Sequence, residues 1–355
     1  MQRVLSLFNR VMLAILAAAS LITSGELSLA GSPIVGTLVD SEQLNGVEDI
    51  LLSGDLAYLP CREGRRLTVC SIKNPAAPVI IGSFSDPDLD HITGFALEGD
   101  TAYLASQNSQ FLLIVDVSNS AAIKLLGKVR IGQPGSEGPV YKMAYRDGYC
   151  YMAHQAEKRL YIVDARDKSR PQVVSHVQVT TADDGAYCVT MQGHYALVGT
   201  VFGHPNRLVV VNVEDPVKPR IVGEVLAPHL SQVIGTVVGD RMYAACWPWD
   251  ALAVINLAEL SDTTMPSLEG ELVDERLGEP NRCAVVGDRA YLPMVRGDGV
   301  AVVDISNPAK PRFVTSFSHP LAKRTYGLAA RGDYVYLGAR TGDSLVILNR
   351  HELEK

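Results

Sequence analysis

Seven residues of this chain stand at nearly equal intervals and change in chemistry from one to the next. They are Glu48, Thr93, Tyr141, Tyr187, Val233, Asn281 and Tyr326, spaced 45, 48, 46, 46, 48 and 45 apart. Asp49, Lys142 and Arg282 stand directly beside three of them. If one structural unit recurs at this spacing, the set converges. Carboxylate, ammonium, guanidinium, amide and phenol groups then surround one point, where they can orient a polar ligand or move a proton. A second concentration is the stretch CWPWD, which holds both tryptophans of the chain, Trp247 and Trp249, with Pro248 between them. Proline fixes φ and stiffens the connection. Two large aromatic rings on a stiff loop are expected to form a stacking platform for a sugar, an aromatic ligand or a partner protein, the alternative being that one of them lids the groove between adjacent units. The neighbouring stretch VFGHPNR is two residues longer than its equivalents. It brings Phe202 and His204 toward the same place, so the two loops are expected to wall one cleft.

Five histidines, His91, His154, His204, His229 and His319, fall in predicted loops. They belong to different repeats, and no metal site is expected from them; His154 and His204 are carried forward as binding candidates. DPDLDH, residues 86–91, has alternating carboxylates but lacks the glycine and the glutamate of a calcium loop. A G-x-S-x-G elbow, an H-E-x-x-H pair and a phosphate loop are all missing from the sequence. No catalytic residue is assigned, and no cofactor is expected.

The elements that position these residues are legible as repeats. LLSGDLAYL (from Leu51), ALEGDTAYL (Ala96), AYRDGYCYM (Ala144), TMQGHYALV (Thr190), TVVGDRMYA (Thr236), AVVGDRAYL (Ala284) and AARGDYVYL (Ala329) each read as strand, tight turn, strand. A second motif follows, as in LTVCSIKNPAAPVIIGS (Leu67), LLIVDVSNSAAIKLLGK (Leu112), LYIVDARDKSRPQVVSH (Leu160), LVVVNVEDPVKPRIVGE (Leu208) and VAVVDISNPAKPRFVTS (Val300). Its proline-bearing turn separates a β-branched run from another short apolar strand. Four antiparallel strands at a period near 46 residues describe one blade of an all-β, seven-bladed β-propeller. The seventh unit ends on SLVILNRHELEK, residues 344–355, without a fourth strand, whereas SPIVGTLVD, residues 32–40, stands alone before the first unit. The N-terminal strand is therefore expected to complete the last blade, so that no edge is left open, and to bury Ile34, Val35, Leu38 and Val39. Counting back from the turn within each inner hairpin, the positions four and two residues before it are apolar and form the core between blades. The positions six before it are Glu48, Thr93, Tyr141, Tyr187, Val233, Asn281 and Tyr326, expected at the channel mouth.

LLIVDVSNS, LYIVDARDK and VAVVDISNPAKP resemble the LVIVD repeat family. The resemblance spans residues 31–355 and implies a secreted or surface-associated β-propeller, a single domain with no defined biochemical role. Residues 1–30 read as a secretory signal peptide: Arg3 and Arg10, the apolar run Val11–Ile22, then SLA before a cleavage site after Ala30. No transmembrane span remains once it is removed. Six cysteines follow without a C-x-x-C pair; buried thiols are expected, with Cys61–Cys70 the one bridge considered. A net charge of −7, with no basic stripe, argues against nucleic acid.

The sequence thus points to an exported, monomeric binding protein, for a small molecule, a glycan or a protein. Its candidate contacts are Trp247, Trp249, Tyr141, Tyr187, Tyr326, Glu48, Lys142, Asn281, Arg282, His154 and His204. The alternative is an enzyme at the mouth, a metal-assisted hydrolase or lactonase or a quinone-cofactor dehydrogenase.

Overall fold

The computed structural model describes residues 31–181, 184–202 and 207–355. Residues 33–355 form one unit. The described strands make seven four-stranded antiparallel sheets, each in simple up-and-down order apart from the one that the chain's two ends share. The chain is a seven-bladed β-propeller. Blade 1 runs Leu51–Ser53, Leu56–Cys61, Arg66–Ser71, Val79–Ser85 from axis to rim, and blades 2 to 6 follow the same plan. Blade 7 takes Thr325–Arg331, Tyr334–Ala339 and Ser344–Asn349 from the C-terminal end and Ile34–Val39 from the N-terminal end.

The burial of each strand follows from its place in a blade. The second and third strands are sandwiched between neighbouring blades, so both faces are covered and the sequence runs continuously apolar, as in Phe111–Asp116. The outermost strands face solvent on one side and alternate, as in Val79–Ser85. Seven apolar clusters of buried residues result, one at each junction between adjacent blades. The junction of blades 7 and 1 is among them, where Leu59 and Cys61 pack with Tyr336, Leu345 and Ile347.

Two local devices explain the repeated letters. The Asp or Asn that ends the third strand accepts a hydrogen bond from the backbone N–H two residues on, at Asp116, Asp164, Asn212, Asn256 and Asp304. A second such turn follows at the Asn or Asp of the corner, as at Asn74, Asn119, Asp215 and Asn307. The side chain supplies the acceptor that the broken ladder lacks, which is why this corner favours Asp, Asn and Pro. The other device lies in the outermost strand. Gly82, Gly127 and Gly270 each lie against a backbone carbonyl in the corner of the next blade (Ser120, Lys168 and Pro308), where a Cβ would not fit. Gly36 does the same against Pro75, so the N-terminal strand latches blade 7 onto blade 1.

The N-terminal strand pairs with Ser344–Asn349, Leu38 opposite Leu345 and Val39 opposite Ser344. Ile34, Val35 and Leu38 pack on the flanking clusters. Val39, expected in the core, is 54% exposed, because alternation turns it outward at the strand's end. A short helix, α1 (Arg350–Leu353), follows the last strand and buries Leu353. All six cysteines are free and buried. Cys61 lies opposite Arg66 and Cys70 opposite Ala57, so the two are not paired across the hairpin. Burial pushes both thiols up to about 12.

Candidate functional site

A regular innermost strand would send alternate side chains to the core and to the channel, and the residue six before the turn would fall on the core side. Irregularities in the ladder redirect it. In blade 2 the pairing steps from Ile92↔Ser106 to Gly94↔Ala105, which leaves Thr93 over. The same step leaves Tyr187 over in blade 4 and Tyr326 in blade 7, while in blade 3 Tyr141 and Lys142 share the space opposite one residue. In blades 1 and 6 the innermost strand is cut to three residues, with an isolated bridge upstream, so Glu48–Ile50 and Asn281–Cys283 leave the ladder. A bulge of this kind re-aims a side chain. Blade 5 has none: its pairing runs unbroken from Val233↔Cys246 and Ile234↔Ala245. Val233, expected at the mouth, is therefore fully buried in the core, and Ile234 takes its place.

These residues enclose a cavity of about 170 Å³ at one end of the channel. Glu48, Thr93, Tyr141, Tyr187, Asn281 and Tyr326 line it from the innermost strands, together with Ile234. The Tyr141 and Tyr187 rings lie 4.6 Å apart between centroids, and Thr93 donates to the Val140 and Tyr141 carbonyls. Burial raises both tyrosine pKa values, Tyr187 far above its ordinary value, so both are neutral phenols at physiological pH.

Charged groups from three blades meet at Glu48. Lys142 Nζ donates to Glu48 Oε1 at 2.8 Å, with both side chains more than nine-tenths buried. Arg282 donates to Asp49 through one nitrogen and to the Glu48 carbonyl, at 2.8 Å, through another. Burial pulls the Lys142 pKa down, against the opposing pull of Glu48. Burial acts the same way on Arg282, but Asp49 overrides it and raises the value. The pairs tie blades 1, 3 and 6 together across the axis.

A second group of lining residues escapes the count from the inner turn: Arg62, Gln107, Trp247 and Arg340. Each is the first residue after the second strand of its blade, following Cys61, Ser106, Cys246 and Ala339. Register counting to that strand's end would have exposed this ring as well. Arg340 donates twice to Glu63, at 3.0 and 2.7 Å, and its guanidinium lies 4.8 Å over the Tyr326 ring. Arg62 donates to Glu63 at 2.8 Å and to Gln107 at 3.0 Å. Three buried atoms on the lining residues have no hydrogen-bond partner: Glu48 Oε2, Asn281 Oδ1 and Trp247 Nε1.

The two tryptophans part company. Trp247 lines the cavity, whereas Trp249 is 38% exposed outside it, its ring 5.8 Å from that of His229. The tight turn in which Trp249 N–H donates to the Cys246 carbonyl sends the rings in different directions, so they do not build one platform. Phe202 is 71% exposed and is not part of the cavity wall, and His204 lies outside the described residues. His154 is fully buried in blade 3, away from the cavity, with Nε2 3.5 Å from Glu157 Oε1. Burial lowers its pKa. His91 is engaged by Asp90, His229 by Glu271, and His319 accepts from the Leu321 N–H. Among the described residues no three metal-ligating side chains cluster. A larger depression, about 600 Å³, lies at the rim of blades 3 and 4, but its Arg207 is already held by Asp184 and Glu224.

The LVIVD repeat model matches residues 46–86, 93–130, 138–179 and 278–319, that is, blades 1, 2, 3 and 6. The ring superimposes on the β-propeller domain of Cps50 (Swd1) from Myceliophteria thermophila with a TM-score of 0.69 at 13% identity, covering 90% of this chain and 99% of that one. Hydrazine synthase from Kuenenia stuttgartiensis matches with a TM-score of 0.67 at 13% identity, over 86% of this chain and 96% of that one. BamB from Moraxella catarrhalis matches with a TM-score of 0.54 at 13% identity, over 86% and 85%. At such identities the likeness is one of fold. No curated protein sequence matches the chain significantly.

Proposed function

For a chain that belongs to the LVIVD repeat family, its repeats arranged in a closed ring, we propose the role of an exported, monomeric binding protein that holds a small molecule in the mouth cavity. The observation that carries this reading is the coincidence of three things in one place. The cavity is concave and aromatic-walled, its polar groups converge from separate blades, and three buried polar atoms of its lining are unpartnered. Buried polar atoms cost stability when unpaired, and sites that hydrogen-bond a ligand carry such atoms. The ladder irregularities support the same reading. They interrupt the ladder at the mouth in six of the seven blades and aim polar side chains inward, which a purely structural ring does not require.

Export rests on residues 1–30, which lie outside the described residues. Among the described residues no helix is long and apolar enough to cross a membrane. Edman sequencing of the natively expressed protein should begin at Gly31; a product beginning at Met1 would remove the export proposal. For binding, a thermal-shift screen of glycans and small metabolites should yield ligands that also change the fluorescence of Trp247. The Asn281→Ala variant should lose them with little change in its own melting temperature. Ligands that bind this variant and the parent equally would place the site elsewhere.

A further inference from the structure

The charges of the mouth do not cancel, and the surplus identifies the kind of ligand it takes. Lys142 is matched by Glu48 and Arg282 by Asp49. Arg62 and Arg340, by contrast, share one carboxylate, Glu63. One positive charge is left over at the wall of a concave site in a protein whose net charge is −7. A group short of solvent interacts strongly with a charge brought next to it, so this wall favours an anion. Arg340 Nη1 faces Glu48 Oε2 as an ion pair at 4.0 Å, beyond hydrogen-bond reach, so its N–H groups can still donate to a ligand. A planar guanidinium with donors left outside any hydrogen bond matches a carboxylate.

Size and walls define the rest of the ligand. A cavity of about 150 Å³ takes a benzene ring, and this one is about 170 Å³. Its apolar lining is largely aromatic, the paired Tyr141 and Tyr187 rings with Tyr326 and Trp247, joined by Ile234. An aromatic-lined site of this size suits a flat aromatic guest. Asn281 Oδ1 and Trp247 Nε1 add an unused acceptor and an unused donor, which suit a hydroxyl on the guest.

Resting on the binding function proposed above, we infer that the mouth is a site for small hydroxylated aromatic monocarboxylates, with the carboxylate at Arg340 and the ring between the aromatic walls.

The two-tryptophan composition makes the test direct. In the Trp249→Phe protein, Trp247 is the sole tryptophan and reports on the cavity. This protein is titrated with 4-hydroxybenzoate, its neutral amide 4-hydroxybenzamide and the cationic 4-hydroxybenzamidine. The acid should bind at least tenfold more tightly than the amide, and the amidine most weakly. Arg340→Gln should bring acid and amide to equal affinity, while Arg340→Lys retains part of the preference. Should Arg340→Gln fail to fold, Arg62→Gln removes the same surplus charge and serves the same comparison. Equal binding of acid and amide by the Trp249→Phe protein, or a preference that survives removal of the surplus charge, would overturn the inference. If none of the three binds but another molecule from the screen perturbs Trp247, the ligand class is wrong and the site stands. If nothing perturbs Trp247, both fall.

Discussion

At the rim of the ring, five of the seven blades place glycine at the same register position: Gly36, Gly82, Gly127, Gly223 and Gly270. Around the mouth, the corresponding position in the innermost strands varies from Glu48 through Thr93, Tyr141 and Tyr187 to Asn281 and Tyr326. The difference separates two kinds of constraint. In these five blades the rim position meets a corner of the next blade, a backbone carbonyl at Gly36, Gly82, Gly127 and Gly270 and the Met265 side chain at Gly223, and one answer serves all five. One of the two exceptions respects it as well: Ser175 in blade 3 donates its hydroxyl to the Pro216 carbonyl of blade 4 at 2.5 Å. The mouth position has no such neighbour in common, since each side chain points to a shared centre and must differ from the others to build a site. In a repeat protein, what recurs maintains the fold and what varies at a fixed position is free to specialise.

Opening the ring should produce the largest effect on the repeated side of this comparison. Deleting residues 32–40 removes the partner of Ser344–Asn349, the Gly36 latch and the partial burial of Ile34, Val35 and Leu38. That burial alone is worth about 3–6 kcal/mol, and the exposed edge adds a route to aggregation. The truncated protein should precipitate or melt far below the parent in differential scanning calorimetry; an unchanged melting temperature would show that the closure does not matter.

On the variable side, Lys142→Met leaves Glu48 buried without its closest cation and should cost about 3 kcal/mol. The double change with Glu48→Gln should recover most of that loss in chemical denaturation. If the single variant is as stable as the parent, the pair does not tie the blades together across the axis. A smaller cost is expected when one latch is spoiled. Gly82→Val forces a side chain against the Ser120 carbonyl and should cost about 1–3 kcal/mol. It should leave ligand binding at the mouth unchanged. Loss of binding in a stably folded Gly82→Val protein would mean that rim and mouth are not independent.

Much of this architecture is determined by the sequence alone. The period near 46 residues, the turn letters and the orphan strand before the first blade are local or repeating signals, so they specify seven blades and their closure without reference to packing. The positions four residues before the turns were legible as core for the same reason, and six of the seven, Ile50, Phe95, Met143, Val189, Cys283 and Leu328, are buried, while Gly235 of blade 5 is half-buried. Six of the seven predicted mouth positions were found by register counting alone; Val233 was not, because nothing in its neighbourhood says that blade 5 lacks the bulge.

Tertiary structure decided the rest. It sent Trp247 into the cavity and Trp249 out of it, buried His154 beside Glu157, and added Arg62, Gln107 and Arg340 to the wall. It also joined Glu48 to Lys142 across 94 residues of sequence. A ladder irregularity shifts a side chain from one face of a strand to the other at little energetic cost, and a charge pair across the axis depends on three blades arriving at one point. Neither leaves a mark in any one repeat, because each is settled by the geometry of the closed ring.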